Sequence, residues 1–216
     1  MPLTDSMTIE LTVDADAPAE SAVAEIASGI GRGQVVVCPT ETLYALVADA
    51  ANAAAVERVC AIKGRGGDQP LPLMAADVTQ VEATLGPMGG VGASLAAAFW
   101  PGPLTLVVRA TGRVDPRCRA ADGSVAVRVA GHAVARAIAR EVGGLVTSTS
   151  ANRSGGGGVA RVTDINGQVR GMVDLIVNSG TLAGGAPSTI VDVRGGMPKL
   201  VREGAIAWSH VLRSVT

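Results

Sequence analysis

Short runs of β-branched and aliphatic residues punctuate the chain: QVVVC (34–38), LTLVVR (104–109), VAVRV (125–129), LVTST (145–149), DLIVN (174–178) and STIVDV (188–193). Most are bounded by glycine or proline, the pattern of short buried strands. Between them, apolar residues recur at three- and four-residue spacing, which predicts helices over 18–30, 52–63, 77–85, 92–99 and 132–142. Val23, Ile26 and Ile30 share one face of the first helix, and Val134, Ile138 and Val142 share one face of the last. Strands interleaved with helices predict the α/β class. The expected architecture is one domain over residues 1–216, a twisted sheet of mixed parallel and antiparallel strands flanked by helices.

Residues 83–108 contain no charged side chain, yet they are too rich in glycine and proline for one spanning helix. They read as a short helix ending near Trp100, a Pro-Gly-Pro turn and a buried strand. Glycine runs at 155–158 and 184–185 each follow a strand-like segment, where open α/β sheets usually bind ligands, so both read as site loops rather than linkers.

Composition narrows the chemistry. Apolar residues make up 48% of the 216 but aromatics only 2%, so the core must be built from Val, Leu, Ile and Ala. The net charge of −1 removes the bulk electrostatic argument for nonspecific nucleic-acid binding and leaves only a local basic groove. Cys38, Cys60 and Cys118 have no metal-ligand spacing, and the N-terminal stretch lacks the basic and apolar regions of a secretion signal. Both features predict a protein of the reducing cytoplasm, with no membrane association. No P-loop, Rossmann fingerprint, HExxH or zinc spacing is present. His132 and His210 are the two histidines, and structural roles are expected for both.

Anion-binding groups are more prominent. Lys63 and Lys199 are the two lysines beside sixteen arginines, and Lys63 stands two positions before Arg65 in the loop-like stretch KGRGGDQP. Lys63 has two readings. It is the closing cation of a helix with Asn52 as N-cap and Gly64 as left-handed C-cap, or a compact ammonium meant for phosphate. In LVTSTSAN an extended backbone places Ser148, Ser150 and Asn152 on one side, and the glycines that follow give phosphate oxygens access to backbone N–H groups. In SVAVRVA the valines take one face, leaving Ser124, Ala126 and Arg128 on the other. There an arginine suits a bidentate carboxylate or phosphate contact, or an internal carboxylate. In CPTETLYAL, Thr40, Glu41 and Thr42 offer hydroxyls and one carboxylate, or a turn cluster. This inventory suits a small anionic substrate and a nucleotide that brings its own magnesium.

In order along the chain, PTETLYAL, KGR…QP, WPGPLTLV, SVAVRV, TSANRSG, PSTIVDV and LVREGAI resemble the motifs of the YrdC-like family over about residues 20–207. The resemblance implies a concave, basic-lined α/β fold that condenses L-threonine, bicarbonate and ATP into threonylcarbamoyl-adenylate with release of pyrophosphate. A partner transferase complex then modifies adenosine 37 of tRNA, and direct contact with tRNA or RNA is a further expectation. By motif, Thr42, Arg128, Ser148 and Ser188 are expected to bind threonine. Lys63, Arg65, Gln69, Ser124, Ser150, Asn152 and Arg202 are expected to bind ATP, with Lys63 and Arg65 catalytic and magnesium near Ser150 and Asn152. Both cations are expected on an exposed loop.

The chain departs from the family pattern at Ala45, Gly66, Met74, expected beside threonine, and Ala133. These departures bear on amino-acid selectivity. Its extent resembles the short bacterial form. Two alternatives share the fold: an RNA-binding or ribosome-maturation protein such as a YciO-like paralogue, and the carbamoyl-transferring domain of hydrogenase-maturation proteins. Few aromatics are available for the base stacking that the first requires.

Overall fold

A computed structural model describes residues 8–64, 69–111 and 114–215. The first half contains β1 (Ile9–Thr12), α1 (Glu20–Gly31), β2 (Val36–Cys38), β3 (Ala45–Val47), α2 (Ala53–Lys63), β4 (Leu73–Ala75), α3 (Val78–Leu85), α4 (Gly89–Phe99) and β5 (Leu104–Arg109). The second contains β6 (Ser124–Val129), α5 (Ala133–Val142), β7 (Val146–Thr147), β8 (Thr149–Ser150), α6 (Gly167–Arg170), β9 (Leu175–Asn178), β10 (Thr189–Asp192), β11 (Lys199–Arg202) and α7 (Trp208–Arg213). The helix ends follow local chemistry. Asn52 caps α2 by accepting from Ala55 N at 3.1 Å, and Gly64 closes it in the left-handed region at φ 61°. Asp77 caps α3 in the same way through Gln80 N.

The strands divide into two mixed sheets, ordered β1-β9-β2-β3-β8 and β11-β10-β5-β6-β4-β7. The expected strand LVTST is where they part. β7 pairs antiparallel with β4 in the second sheet, whereas β8 pairs antiparallel with β3 in the first. Between them the Ser148 N–H turns to Pro72 O at 2.7 Å. The Thr147 hydroxyl stitches the junction, accepting from Ala48 N at 3.0 Å and donating to Leu46 O at 3.2 Å. One continuous apolar run thus serves two sheets, and its polar residues open between them.

Strands β2, β3 and β4 are buried on both faces. Val37, Leu46 and Leu73 face the larger core, while Val36, Val47 and Met74 face a second core beneath α1 and α5, which pack against each other. Two-sided burial explains why VVVC reads as a continuous apolar run.

The segment after β11 is held by the Thr189 hydroxyl and by Ala205 N donating to Pro187 O at 2.8 Å. Thr189, fully buried in β10, donates to Ile206 O at 2.6 Å and accepts from Gly204 N at 2.9 Å and Ile206 N at 3.0 Å. A Cβ on Gly204 would lie 2.1 Å from Pro187 O, so only glycine permits this approach. The anchor fixes the C-terminal end of β11, which carries Val201 and Arg202. Thr189→Val is expected to lower unfolding free energy by about 2–3 kcal/mol, because polar groups lose their partners in the interior. It should also speed proteolysis after β11. Denaturant titration and limited proteolysis check both outcomes.

Candidate active site

A cavity of about 380 Å³ opens at the sheet junction. Its lining includes Thr42, Arg128, Ser148 and Ser188, the residues expected to hold threonine, and Gln69, Ser124, Ser150 and Arg202 from the set expected to hold ATP. These residues come from six separated stretches of chain, and the fold brings them to one place.

Lys63 and Asn152 lie directly behind Ser150. The Lys63 ammonium donates to Ser150 O at 2.8 Å, Asn152 O at 2.7 Å and Asn152 Oδ1 at 2.5 Å, with Ser150 Oγ at 3.3 Å. Asn152 Oδ1 also accepts from Ser150 Oγ at 2.7 Å, and its Nδ2 donates to Gly156 O and Gly157 O at 2.6 and 2.7 Å. Lys63, Ser150, Asn152 and the glycine run 155–158 therefore form one connected unit. The expectation that Lys63 sits on an exposed loop is incorrect. It is the last residue of α2 and only 1% exposed, because the main-chain oxygens of Ser150 and Asn152 draw its ammonium inward. Arg65 and Gly66 lie outside the described residues.

Arg128 occupies β6 with its neighbours as the alternation predicts. Val125, Val127 and Val129 join the larger core, and Ser124, Ala126 and Arg128 face the cavity. The internal-carboxylate reading of Arg128 is also realised: Nη1 donates to Glu41 Oε1 at 2.5 Å, and Nη2 lies 3.4 Å from Ser148 Oγ. Burial lowers the Arg128 pKa while Glu41 opposes that shift. Arg202 donates from Nη2 to Ser188 O at 2.8 Å. Burial and then repulsion from Arg128 lower its pKa as well. These two are the cationic side chains in the described lining.

Several contributors carry no obvious sequence signal. Thr105 Oγ1 lies 2.8 Å from Ser188 Oγ, both lining the cavity. Asp122 accepts from Ser124 Oγ at 2.6 Å and from Ser124 N at 3.0 Å, and pairs with Arg194. The Ser124 hydroxyl, then Arg194, hold its carboxyl well below the usual range. The Ser124 proton is thereby committed, and its oxygen lone pairs remain for a ligand donor. The Asp-Gly-Ser turn at 122–124 is the one local hint of this arrangement.

Other groups are poor candidates for the chemistry. Burial pushes the Cys38 and Cys118 thiols up to about 12, so neither is a thiolate at neutral pH. His210 packs edge-on against Phe99; His132 is the N-cap residue of α5 but its side chain makes no cap bond, and its buried Nδ1 has no hydrogen-bond partner among the described residues. Met74 is fully buried in the second core and does not line the cavity, which corrects its expected place beside threonine. Ala45 does line it. No cluster of His, Cys, Asp or Glu suited to a metal occurs among the described residues. No described helix is long and apolar enough to cross a membrane.

A two-sheet α/β frame encloses a cavity lined with hydroxyls and two arginines. The chain belongs to the Sua5/YciO/YrdC family, whose model, described as telomere recombination, matches residues 28–204. It is 35% identical over 190 residues to the threonylcarbamoyl-AMP synthase of Bacillus subtilis, covering 88% of this chain and 55% of that protein. The chain thus spans about half the length of that relative. It is 34% identical to a putative threonylcarbamoyl-AMP synthase of Mycobacterium leprae, covering 88% of this chain and 86% of that one. Among solved structures, P. abyssi Sua5 complexed with L-threonine superposes with a TM-score of 0.90 at 30% identity, over 96% of this chain and 61% of that chain. E. coli YciO superposes with a TM-score of 0.85 at 26% identity, over 93% and 98%.

Lys63→Met removes the donor that satisfies the Ser150 and Asn152 carbonyls. It is expected to cost about 1–3 kcal/mol of stability as well as activity, since buried acceptors are left unpaired. Chemical denaturation beside an activity assay checks it. Unchanged stability would show that the ammonium does not organise this junction.

Proposed function

We propose that the chain is a threonylcarbamoyl-AMP synthase, joining L-threonine, bicarbonate and ATP with release of pyrophosphate, and that its product serves tRNA modification at adenosine 37 through a partner transferase. One observation carries this reading: the residues expected for threonine and most of those expected for ATP line a single cavity, with the remaining described ones bonded behind it.

In this reading the threonine carboxylate meets Arg128 and the Ser148 hydroxyl, a charged and a neutral donor 3.4 Å apart. Thr42 and Ser188 supply hydroxyls for the rest of the amino acid. Its amine takes up carbon dioxide or bicarbonate, and the resulting carboxylate attacks the α-phosphorus of ATP, with pyrophosphate as leaving group. Lys63, Arg65 and Arg202 oppose the charge that accumulates on the phosphates. Gln69, Ser124, Ser150 and Asn152 position the nucleotide. Magnesium would enter with the substrate; Asn152 Oδ1 already accepts from the Lys63 ammonium and Ser150 Oγ, so the ion would take its ligands from phosphate and water rather than from this pair.

The RNA-binding alternative has less support. Tyr44 and Trp100 are buried, and Phe99 and Trp208 are half-buried, so no described aromatic forms an open stacking platform.

Purified protein with ATP, magnesium and bicarbonate should release pyrophosphate only when L-threonine is present. Release without threonine dependence, or none, overturns the reading. Arg128→Ala is expected to raise the threonine KM about tenfold or more while leaving the ATP KM near the wild-type value, through loss of a charge-assisted contact. Steady-state kinetics in each substrate separates the two constants.

A further inference from the structure

Two arginines line one cavity, yet they are electrostatically unlike. Arg128 is paired with Glu41, and both side chains are largely withdrawn from water, 9% and 17% exposed. Glu41 is held from a second side as well: its Oε2 accepts from Gly131 N at 2.9 Å, and a Cβ on Gly131 would lie 3.0 Å from Glu41 Cβ. The carboxylate is therefore clamped between a backbone amide and the guanidinium. It does not itself line the cavity. Arg202, in contrast, has no carboxylate partner among the described residues and rests on the neutral Ser188 carbonyl.

One cavity arginine thus has a carboxylate partner within the protein and the other rests on a neutral carbonyl. A zwitterionic amino acid has no net charge, whereas a triphosphate carries several negative charges. Left unpaired, Arg128 would attract phosphate as strongly as Arg202 does, and a polyanion would compete for the amino-acid position. We propose that Glu41 is a specificity-determining residue: by pairing with and fixing Arg128 it reserves that guanidinium for the carboxylate of a zwitterion and disfavours phosphate there. The inference rests on the assignment of threonine and ATP to this cavity. It adds a role for a carboxylate to which no substrate contact is assigned.

The test uses the full chain without ATP and measures L-threonine binding by calorimetry at constant ionic strength, with and without inorganic phosphate. In wild-type protein, phosphate is expected to change the threonine Kd by less than about twofold. In Glu41→Gln it should compete and raise the apparent threonine Kd about tenfold, the scale of one hydrogen bond to a charged group. Glu41→Asp retains the charge but is one methylene shorter, so it should give intermediate competition. It also provides a folded comparison if the glutamine variant melts below the assay temperature. Threonine binding as insensitive to phosphate in both variants as in wild type overturns the inference. Failure of wild-type protein to bind threonine at all overturns instead the assignment on which it rests, and the inference with it.

Discussion

The buried ammonium of Lys63 is the constraint around which the site is arranged. Carried to the end of α2 and turned inward beside the left-handed Gly64, it meets the main-chain oxygens of Ser150 and Asn152. A charge withdrawn from water is tolerable only when its donors are satisfied, and those oxygens satisfy them. The same contact fixes the chain just after β8, where the polar run between the two sheets leads into the glycine loop. Asn152 then extends the network to Gly156 and Gly157. A helix end, a sheet junction and a glycine loop are in this way held together by one cation.

Charge is distributed unevenly around this frame. The Arg128–Glu41 pair is neutral as a unit, while Arg202 keeps its charge near the Ser188 carbonyl. Thr42, Ser148 and Ser188 line the same cavity, with Thr105 hydrogen-bonded to Ser188. Such a surface can distinguish a zwitterion from a polyanion within one cavity. A uniformly basic cleft would draw phosphate to every position.

Much of this was legible in the sequence, and the exceptions have physical reasons. The alternation in SVAVRV placed Arg128 toward the cavity, and Asn52 and Gly64 delimited α2 by capping chemistry. The division of LVTST between two sheets was not legible, because a run of small β-formers reads as one strand whichever partner each half pairs with. β3 and β4 are only three residues long, and β11 is exposed at every position, so none shows a usable period. Met74 lay on the face opposite to expectation because β4 is apolar on both sides. The burial of Lys63 depended on acceptors nearly ninety residues away in sequence, which no local pattern reveals.

The most direct test is a crystal structure of the protein with L-threonine and a non-hydrolysable ATP analogue. The account predicts the amino-acid carboxylate within hydrogen-bond distance of Arg128 and Ser148, and the triphosphate at the Lys63, Ser150 and Asn152 end, with the Arg128–Glu41 pair intact. Phosphate oxygens bonded to Arg128, or threonine bound outside this cavity, would contradict it.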